Sequence, residues 1–273
     1  MDRIPVPEQE IVPLEEVGRG VRGLRIGFVN VFGIEAGDGA WALVDAGLAF
    51  SAGKIRNWAE QHFGTAPPSA ILLTHGHFDH VGALEELLKT WNAPVYAYPL
   101  EMPYLTGKDK YPPPDPLVGG GLMALLSPIY SRGPIDIGGR VIPLPEDGRI
   151  PELADWQAIA TPGHTPGHVS FFRDSDRILL AGDAFTTVKA ESFLNIAAQI
   201  PELHGPPAYY TPDWDAAKAS GERLSRLNPL TLAAGHGPVV SGPEAPSMLR
   251  ELAENFDRVA RPKHGRYAKN PAV

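Results

Sequence analysis

The sequence predicts an α+β protein in which two β-sheets pack face to face with helices on the outside. Predicted strands occur in groups with helices between them, whereas a doubly wound sheet would alternate the two strictly. The 273 residues are 43% hydrophobic and 21% charged, which are ordinary globular proportions. They exclude a disordered chain, a collagen-like fibre and a coiled coil. We expect residues 1–273 to form a single domain.

The first hundred residues predict a hairpin followed by strands and helices in turn. Runs rich in β-branched and aromatic residues at 25–34 and 40–45 flank a turn signal at 37–39, which indicates two antiparallel strands. Apolar residues recur with helical spacing over 53–63. The other predicted elements of this part are strands at 70–74 and 94–98 and a helix at 82–90.

Two stretches show neither the helical nor the strand periodicity of apolar residues. Residues 99–139 hold a proline-rich run at 111–116 and three consecutive glycines at 119–121, and we interpret them as an insertion with one brief helix. An irregular loop covers residues 184–211. Long loops of this kind are more often lids or binding loops than packing elements.

The second half predicts a hairpin, a third strand and a strand between two helices. A turn at 174–176 separates the second and third strands. The predicted strands lie at 156–160, 169–173, 177–182 and 230–234, and the predicted helices at 213–227 and 244–260.

Charge and cysteine content exclude several classes of function. The net charge of −8 argues against a general binder of polyanions. The sequence has no cysteine, which excludes disulfides, cysteine zinc sites and cysteine nucleophiles. No apolar run reaches the roughly 18 residues that span a bilayer, so we expect no membrane partner. The first residues carry acid and proline where a signal peptide is apolar, and we expect a cytoplasmic protein.

A cluster of metal-ligand residues follows the predicted strand at 70–74. His75, His77, Asp79 and His80 lie within six residues. Two positions apart on extended chain, His75 and His77 project to the same side, and a turn brings the other two nearby. Imidazole and carboxylate groups suit zinc, iron or manganese. The alternative is a polar loop in which Asp79 only caps a helix.

Three more polar residues follow predicted strands in glycine-rich loops. His164 lies between prolines and glycines, Asp183 follows a buried-type strand, and His236 follows the strand at 230–234. Each alone is ordinary for a cap or a solvated loop residue. Together they raise the number of candidate ligands to seven.

In this order, the seven residues resemble the metallo-β-lactamase superfamily. Asn30-Val-Phe and Leu43-Val-Asp45-Ala-Gly47 also look like the first strands of that family. The resemblance runs from about Asn30 to His236. It implies a four-layer αββα sandwich of two mixed β-sheets with outer helices, and a two-metal site between the sheet edges.

The resemblance also implies the role of each ligand. One ion would bind His75, His77 and His164, the second would bind Asp79, His80 and His236, and Asp183 would bridge both. The implied cofactors are two divalent ions, zinc before iron or manganese. A hydroxide between the ions would attack the substrate, and Asp79 would orient it or move a proton.

Other residues are candidates for support or for substrate contact. Asp45, Thr74 and His168 could hold ligand imidazoles by hydrogen bonds, although a purely structural role stays open for Asp45 and His168. Aromatic side chains of the two irregular stretches could roof an apolar pocket, or could only pin those loops. The substrate-contact candidates are Tyr111, Tyr130, Phe185 and Phe193.

Departures from branches of the superfamily narrow the activity. The cysteine ligand of one group of zinc β-lactamases cannot exist here. Lactonases of the superfamily usually carry a tyrosine three residues after the bridging aspartate, where this chain has Thr186. Glyoxalase II-like enzymes add a helical region after the last ligand, and only a short segment follows His236.

We therefore expect a dinuclear metal hydrolase that cleaves a small ester, thioester or lactone. The alternatives are a mononuclear iron enzyme like the persulfide dioxygenases, an endonuclease for single-stranded RNA, and a metal-binding fold without turnover. The expected partner is a small molecule, and the acidic balance disfavours nucleic acid. The insertion at 99–139 covers either its own site or that of a second copy, which leaves a homodimer open.

Overall fold

Two six-stranded mixed sheets and a two-stranded sheet form the framework of the computed structural model, which describes residues 4–272. The described residues form fourteen strands, many of them only two or three residues long. They are β1 (Ile4–Pro5), β2 (Ile11–Val12), β3 (Val21–Ile26), β4 (Val29–Glu35), β5 (Trp41–Val44), β6 (Ala70–Leu72), β7 (Val95–Ala97), β8 (Val141–Pro143), β9 (Trp156–Ala160), β10 (Val169–Arg173), β11 (Ile178–Gly182), β12 (Glu202–Leu203), β13 (Thr231–Ala234) and β14 (Val239–Ser241).

The helices vary from one turn to about three. Nine α-helices and six short 3-10 turns lie within residues 4–272. The α-helices are α1 (Ala52–Phe63), α2 (Phe78–Val81), α3 (Leu84–Thr90), α4 (Met102–Leu105), α5 (Leu122–Leu126), α6 (Phe193–Ala198), α7 (Trp214–Ser225), α8 (Ala245–Glu254) and α9 (Phe256–Val259).

The first sheet follows chain order, from β3 to β8. Its first three strands are antiparallel and the rest are parallel. The prediction of one strand over 25–34 was wrong, because the chain turns back at Gly27. That glycine has φ +62°, a conformation that favours glycine. The run therefore splits between β3 and β4.

The second sheet has the order β2-β14-β13-β11-β10-β9. The predicted strands at 156–160 and 169–173 are confirmed as β9 and β10. Strands β11 and β13 are parallel neighbours, so their carboxyl ends lie at the same edge. The predicted helix at 244–260 is interrupted at Asn255, which separates α8 from α9.

Three layers of apolar side chains hold the sheets and helices together. Val44 and Leu72 of the first sheet meet Phe171 and Leu180 of the second between the sheets. The opposite face of the first sheet packs on α1 and α3, and that of the second sheet on α7, α8 and α9. Alternating side chains of each strand serve these two faces. The predicted αββα sandwich is confirmed.

The insertion at 99–139 has little regular structure. It contains two short helices, α4 and α5, where one was predicted, and two 3-10 turns, and a third such turn at 138–140 overlaps its end. None of the helices within the described range has the length and apolar character to cross a bilayer.

Candidate metal centre

The seven candidate ligands meet at one edge of the sandwich. The segment 74–80 follows β6 of the first sheet. In the second sheet, His164 lies between β9 and β10, Asp183 follows β11 and His236 follows β13. The facing edges of the two sheets therefore bring together residues that are far apart in the sequence.

Three histidines converge on a single point. His77 Nδ1 lies 3.0 Å from His75 Nε2 and 2.9 Å from His164 Nε2. All three side chains are at least 97% buried. We call His75, His77 and His164 the three-histidine group. Their three nitrogens are placed to share one metal ion.

Hydrogen bonds on the far side of two of these rings direct their lone pairs inward. The Thr74 hydroxyl donates to Asp45 at 2.8 Å, so it accepts from His75 Nδ1 at 3.0 Å. The Thr211 hydroxyl likewise donates to the backbone carbonyl of residue 207 and accepts from His164 Nδ1 at 3.2 Å. Both rings thus carry their proton at Nδ1 and turn an unprotonated Nε2 toward His77, an arrangement that fits a cation.

A second group consists of Asp79, His80 and His236. His80 Nδ1 lies 2.8 Å from an Asp45 oxygen, and His236 Nδ1 donates to the Phe28 carbonyl at 2.8 Å. Each Nε2 again faces the site, and His236 Nε2 lies 3.5 Å from Asp79 Oδ2. This second group is therefore oriented in the same way as the three-histidine group.

Asp183 lies between the two groups. Its Oδ2 is 3.5 Å from His164 Nε2 and 3.2 Å from His236 Nε2, and its Oδ1 is 3.5 Å from His80 Nε2. Among the described residues, neither Asp183 Oδ1 nor His80 Nε2 has a hydrogen-bond partner, although both are buried. Buried polar atoms are normally satisfied, so these two fit coordination to an ion.

Close backbone packing leaves room for the Asp183 carboxylate. A Cβ at Gly235 would overlap Asp183 Oδ1 and lie 2.8 Å from the His80 ring. The Asn30 amide holds this loop by donating to Ala234 O at 3.0 Å and Gly237 O at 2.8 Å. Only glycine allows the loop that bears His236 to approach so closely.

Burial keeps the three-histidine group neutral. It lowers the pKa of His75 and His77 well below the ordinary value, with neighbouring imidazoles adding to the effect. It also lowers the pKa of His164 to about 4. Neutral imidazole is the form that binds metal ions.

The charges of the second group are different. Burial opposes protonation of His80 and His236, but the neighbouring carboxylates, Asp183 foremost, together outweigh it and raise both pKa values. Burial also acts against the charged form of Asp183, and the imidazoles of His236 and His80 nevertheless hold its pKa well below the usual range. Burial raises the pKa of Asp79. A compact arrangement of opposite charges therefore exists before any metal binds.

The candidates behind the ligands lie in hydrogen-bonding contact with them. Asp45 accepts from the backbone N–H and the hydroxyl of Thr74, both at 2.8 Å, and lies against His80. It has φ +61°, a left-handed conformation that is uncommon for non-glycine residues, although aspartate adopts it more readily than most. His168 Nε2 accepts from the Asp183 backbone N–H at 2.9 Å.

The four aromatic candidates have different surroundings. The Tyr111 hydroxyl bonds to Glu101, and its ring lies 4.4 Å from that of His77. Tyr130 packs on Phe78 with centroids 5.2 Å apart. Phe185 is 1% exposed within the core around α7 and α8, a position that offers a substrate little surface. Phe193 lies at the surface, 53% exposed, at the start of α6.

Sequence analysis missed Glu101 and Thr211 next to the site, and it included Tyr210 only among the aromatic side chains that could roof a pocket. Glu101 is fully buried and touches both ligand loops of the three-histidine group. Thr211 orients His164. Tyr210 lies 4.6 Å from the His77 ring, and its buried hydroxyl has no hydrogen-bond partner within residues 4–272. No local pattern marks these residues, although Tyr210 belongs to the irregular stretch at 184–211.

Comparison with known proteins extends these observations. Residues 24–236 match the family model described as the metallo-beta-lactamase superfamily. The probable metallo-hydrolase YflN of Bacillus subtilis (strain 168) is 49% identical over 247 residues, which are 89% of this chain and 94% of that protein.

Two solved structures are also similar. A beta-lactamase domain protein from Burkholderia ambifaria has a TM-score of 0.63 at 20% identity, covering 93% of this chain and 80% of that one. TTHA1623, solved in a di-iron-bound form, has a TM-score of 0.54 at 29% identity, covering 80% of this chain and 92% of that one.

Proposed function

Since the chain belongs to the metallo-β-lactamase superfamily, we propose that it is a metal-dependent hydrolase that cleaves a small ester, thioester or lactone. The observation that carries this proposal is the position of Asp183 between two groups of three convergent ligands. The name of YflN, a probable metallo-hydrolase, supports the same reaction class.

We propose two divalent ions as cofactors. Zinc is our first choice because its usual ligands are imidazole and carboxylate, and the same donors accept iron or manganese. The di-iron form of TTHA1623 supports a pair of ions in this fold. The proposed ligands are His75, His77 and His164 for one ion, Asp79, His80 and His236 for the other, and Asp183 for both.

When bound, two such ions lower the pKa of a water molecule toward about 7 and polarise the carbonyl of the substrate. The contribution of the chain starts with Asp79. It is 7% exposed, whereas the other six ligands are at most 3% exposed, so it is the ligand most open to an entering molecule. Its carboxylate is suited to orient the attacking group or to accept its proton.

We propose that Tyr210 offers its hydroxyl to the substrate, because the hydroxyl of Thr186 is already hydrogen-bonded. Thr186 is fully buried, and its hydroxyl donates to the Val188 carbonyl at 2.7 Å. The Tyr210 hydroxyl is unpartnered among the described residues, and the Tyr210 ring lies 4.6 Å from that of His77. We place it as the hydrogen-bond donor to the substrate oxygen that gains negative charge.

An apolar wall beside the second group suits an acyl substrate. The Phe28 ring stacks on His236 at 5.9 Å, and Phe78 lies between Phe28 and Tyr130 at 6.5 and 5.2 Å. These rings offer a hydrophobic surface next to Asp79. With a net charge of −8, the chain fits a small apolar acyl group better than RNA.

The proposal is tested by metal content and a substrate panel. Protein purified without chelators should contain about two equivalents of metal, and esters, thioesters and lactones should be assayed with it. We expect turnover that a chelator abolishes and added metal restores. About one equivalent of iron with oxygen consumption on a persulfide would overturn the hydrolase in favour of sulfur oxidation.

A further inference from the structure

Glu101 is a buried carboxylate outside the proposed ligand set. It ends the 3-10 turn Pro99–Glu101 that follows β7, and none of its surface is exposed. The four groups that donate hydrogen bonds to it are all uncharged. Burying a carboxylate without a cationic partner is costly, so its position requires an explanation.

Each oxygen of Glu101 serves a different segment. Oε2 accepts from the backbone N–H of Gly76 at 3.0 Å and from the Tyr111 hydroxyl. Oε1 accepts from the Thr165 hydroxyl at 2.6 Å and from the backbone N–H of Gly167 at 2.9 Å. One carboxylate therefore joins the strand-end loop, the insertion and the loop between β9 and β10.

The segments joined by Glu101 carry the three-histidine group. Gly76 lies between His75 and His77, and Thr165 directly follows His164. The packing is tight on both sides, since a Cβ at Gly76 would lie 2.8 Å from the Tyr111 hydroxyl oxygen and one at Gly167 would lie 2.6 Å from the Glu101 nitrogen. Neither glycine therefore leaves space for a side chain.

We propose that Glu101 is a positioning residue that fixes the distance between the His75–His77 segment and His164, and so sets the affinity of the three-histidine group for its metal ion. This inference rests on the metal centre proposed above.

Replacing Glu101 by glutamine tests this positioning role directly. A carboxylate accepts at both oxygens, whereas an amide presents an NH₂ donor on one side. Glu101→Gln keeps the size of the side chain but turns that donor toward either Gly76 or Gly167. The two loops then lose their common acceptor.

The experiment measures zinc affinity of metal-free full-length protein by competition with a chromogenic chelator. Glu101→Gln is introduced into two backgrounds, His236→Ala, which keeps the three-histidine group, and His164→Ala, which keeps the second group. We expect a loss of about 10-fold or more in the first background and under about 3-fold in the second. Glu10→Gln is the matched control, because Glu10 is likewise a buried glutamate, 3% exposed, but lies near Gly242, away from the loops.

An equal loss in both backgrounds, or none in either, would overturn the proposal. If Glu101→Gln does not fold, Tyr111→Phe removes one donor to the carboxylate and should give a smaller loss in the His236→Ala background only. The readout needs no substrate, so inactivity toward every ester would count against the proposed function and leave this inference standing. Absence of zinc binding in wild type would overturn both.

Discussion

His168 and Asp183 are joined by a hydrogen bond in which the backbone N–H of Asp183 donates to His168 Nε2 at 2.9 Å. The acceptor role of that nitrogen is set by a chain of bonds. His168 Nδ1 lies 2.8 Å from the Thr161 hydroxyl, which lies 3.1 Å from the Ser170 hydroxyl, which donates to Ala181 O at 2.9 Å. Because the Ser170 hydroxyl donates to Ala181 O, it accepts from the Thr161 hydroxyl. The Thr161 hydroxyl in turn accepts from His168, which therefore carries its proton at Nδ1. This hydrogen bond to the backbone of Asp183 therefore positions the Asp183 carboxylate between the two ligand groups.

Replacing His168 should therefore impair the site without removing a ligand. We expect His168→Ala to lower kcat by about 10-fold to 100-fold and to reduce metal content. His168→Gln should keep most of the activity, because its side-chain oxygen can accept from Asp183. Steady-state kinetics with elemental analysis measures both variants. Full activity and full metal content in His168→Ala would contradict the assignment.

Loss of the Asp183 carboxylate should affect both ligand groups. We expect Asp183→Ala to lose turnover by about 10³-fold or more and to hold less metal, since several kcal/mol of transition-state stabilisation depend on the ions. Asp174→Ala is the control, because Asp174 is exposed in the turn between β10 and β11, at the other end of β11 from Asp183. An active and fully metallated Asp183→Ala protein would exclude the proposed arrangement.

The hydroxyl of Tyr210 should matter for turnover and not for metal binding. We expect Tyr210→Phe to lower kcat by about 10-fold to 100-fold while metal content stays unchanged, because a donor to a developing oxyanion acts mainly in the transition state. Tyr209→Phe tests the neighbouring buried tyrosine and should stay near wild type. Wild-type kinetics in Tyr210→Phe, or the larger loss in Tyr209→Phe, would refute the assignment.

Tyr96 should make the stability of the fold depend on alkaline pH. Its hydroxyl donates to Glu152 at 2.9 Å, and burial followed by that carboxylate raises the pKa of Tyr96 to about 12. The folded pKa exceeds the unfolded value near 10, so the contribution is complete below pH 10 and is lost as the pH rises toward 12.

Urea unfolding of wild type and Tyr96→Phe checks this dependence. The variant should be less stable by about 1 kcal/mol at pH 8, the usual contribution of a hydrogen bond. This difference should shrink between pH 10 and 12. A constant difference over that range would show that the Tyr96 hydroxyl does not titrate there.

The success of sequence analysis for the fold depended on element length. The hairpin of β9 and β10 was predicted to the residue because its five-residue strands are rich in apolar and aromatic side chains. Strands such as β8, β12 and β14, of two or three residues, give no periodic signal. The run at 25–34 predicts one strand because Gly27 is a single glycine in an otherwise continuous apolar pattern, and only the structure shows that the chain turns there.

The site was predictable where its residues are neighbours in the sequence. Close spacing marks His75, His77, Asp79 and His80 as candidate ligands. The order of the later ligands carried the resemblance to the metallo-β-lactamase superfamily. Glu101 could not be found this way, because its partners Gly76 and Gly167 lie 25 and 66 residues away. A lone glutamate after a strand is typical of a surface turn, and only the tertiary structure shows that this one is buried.

Every candidate ligand group draws on both sheets. In the three-histidine group and in the second group, two residues come from the segment after β6 and the third is His164 or His236 of the second sheet. Asp183 of the second sheet lies between the two groups. An ion bound here would act as a cross-link across the open edge of the sandwich, much as a disulfide joins two strands, in a chain without cysteine. Metal uptake would then follow docking of the sheets, and a chelator would weaken their association before it unfolds either one.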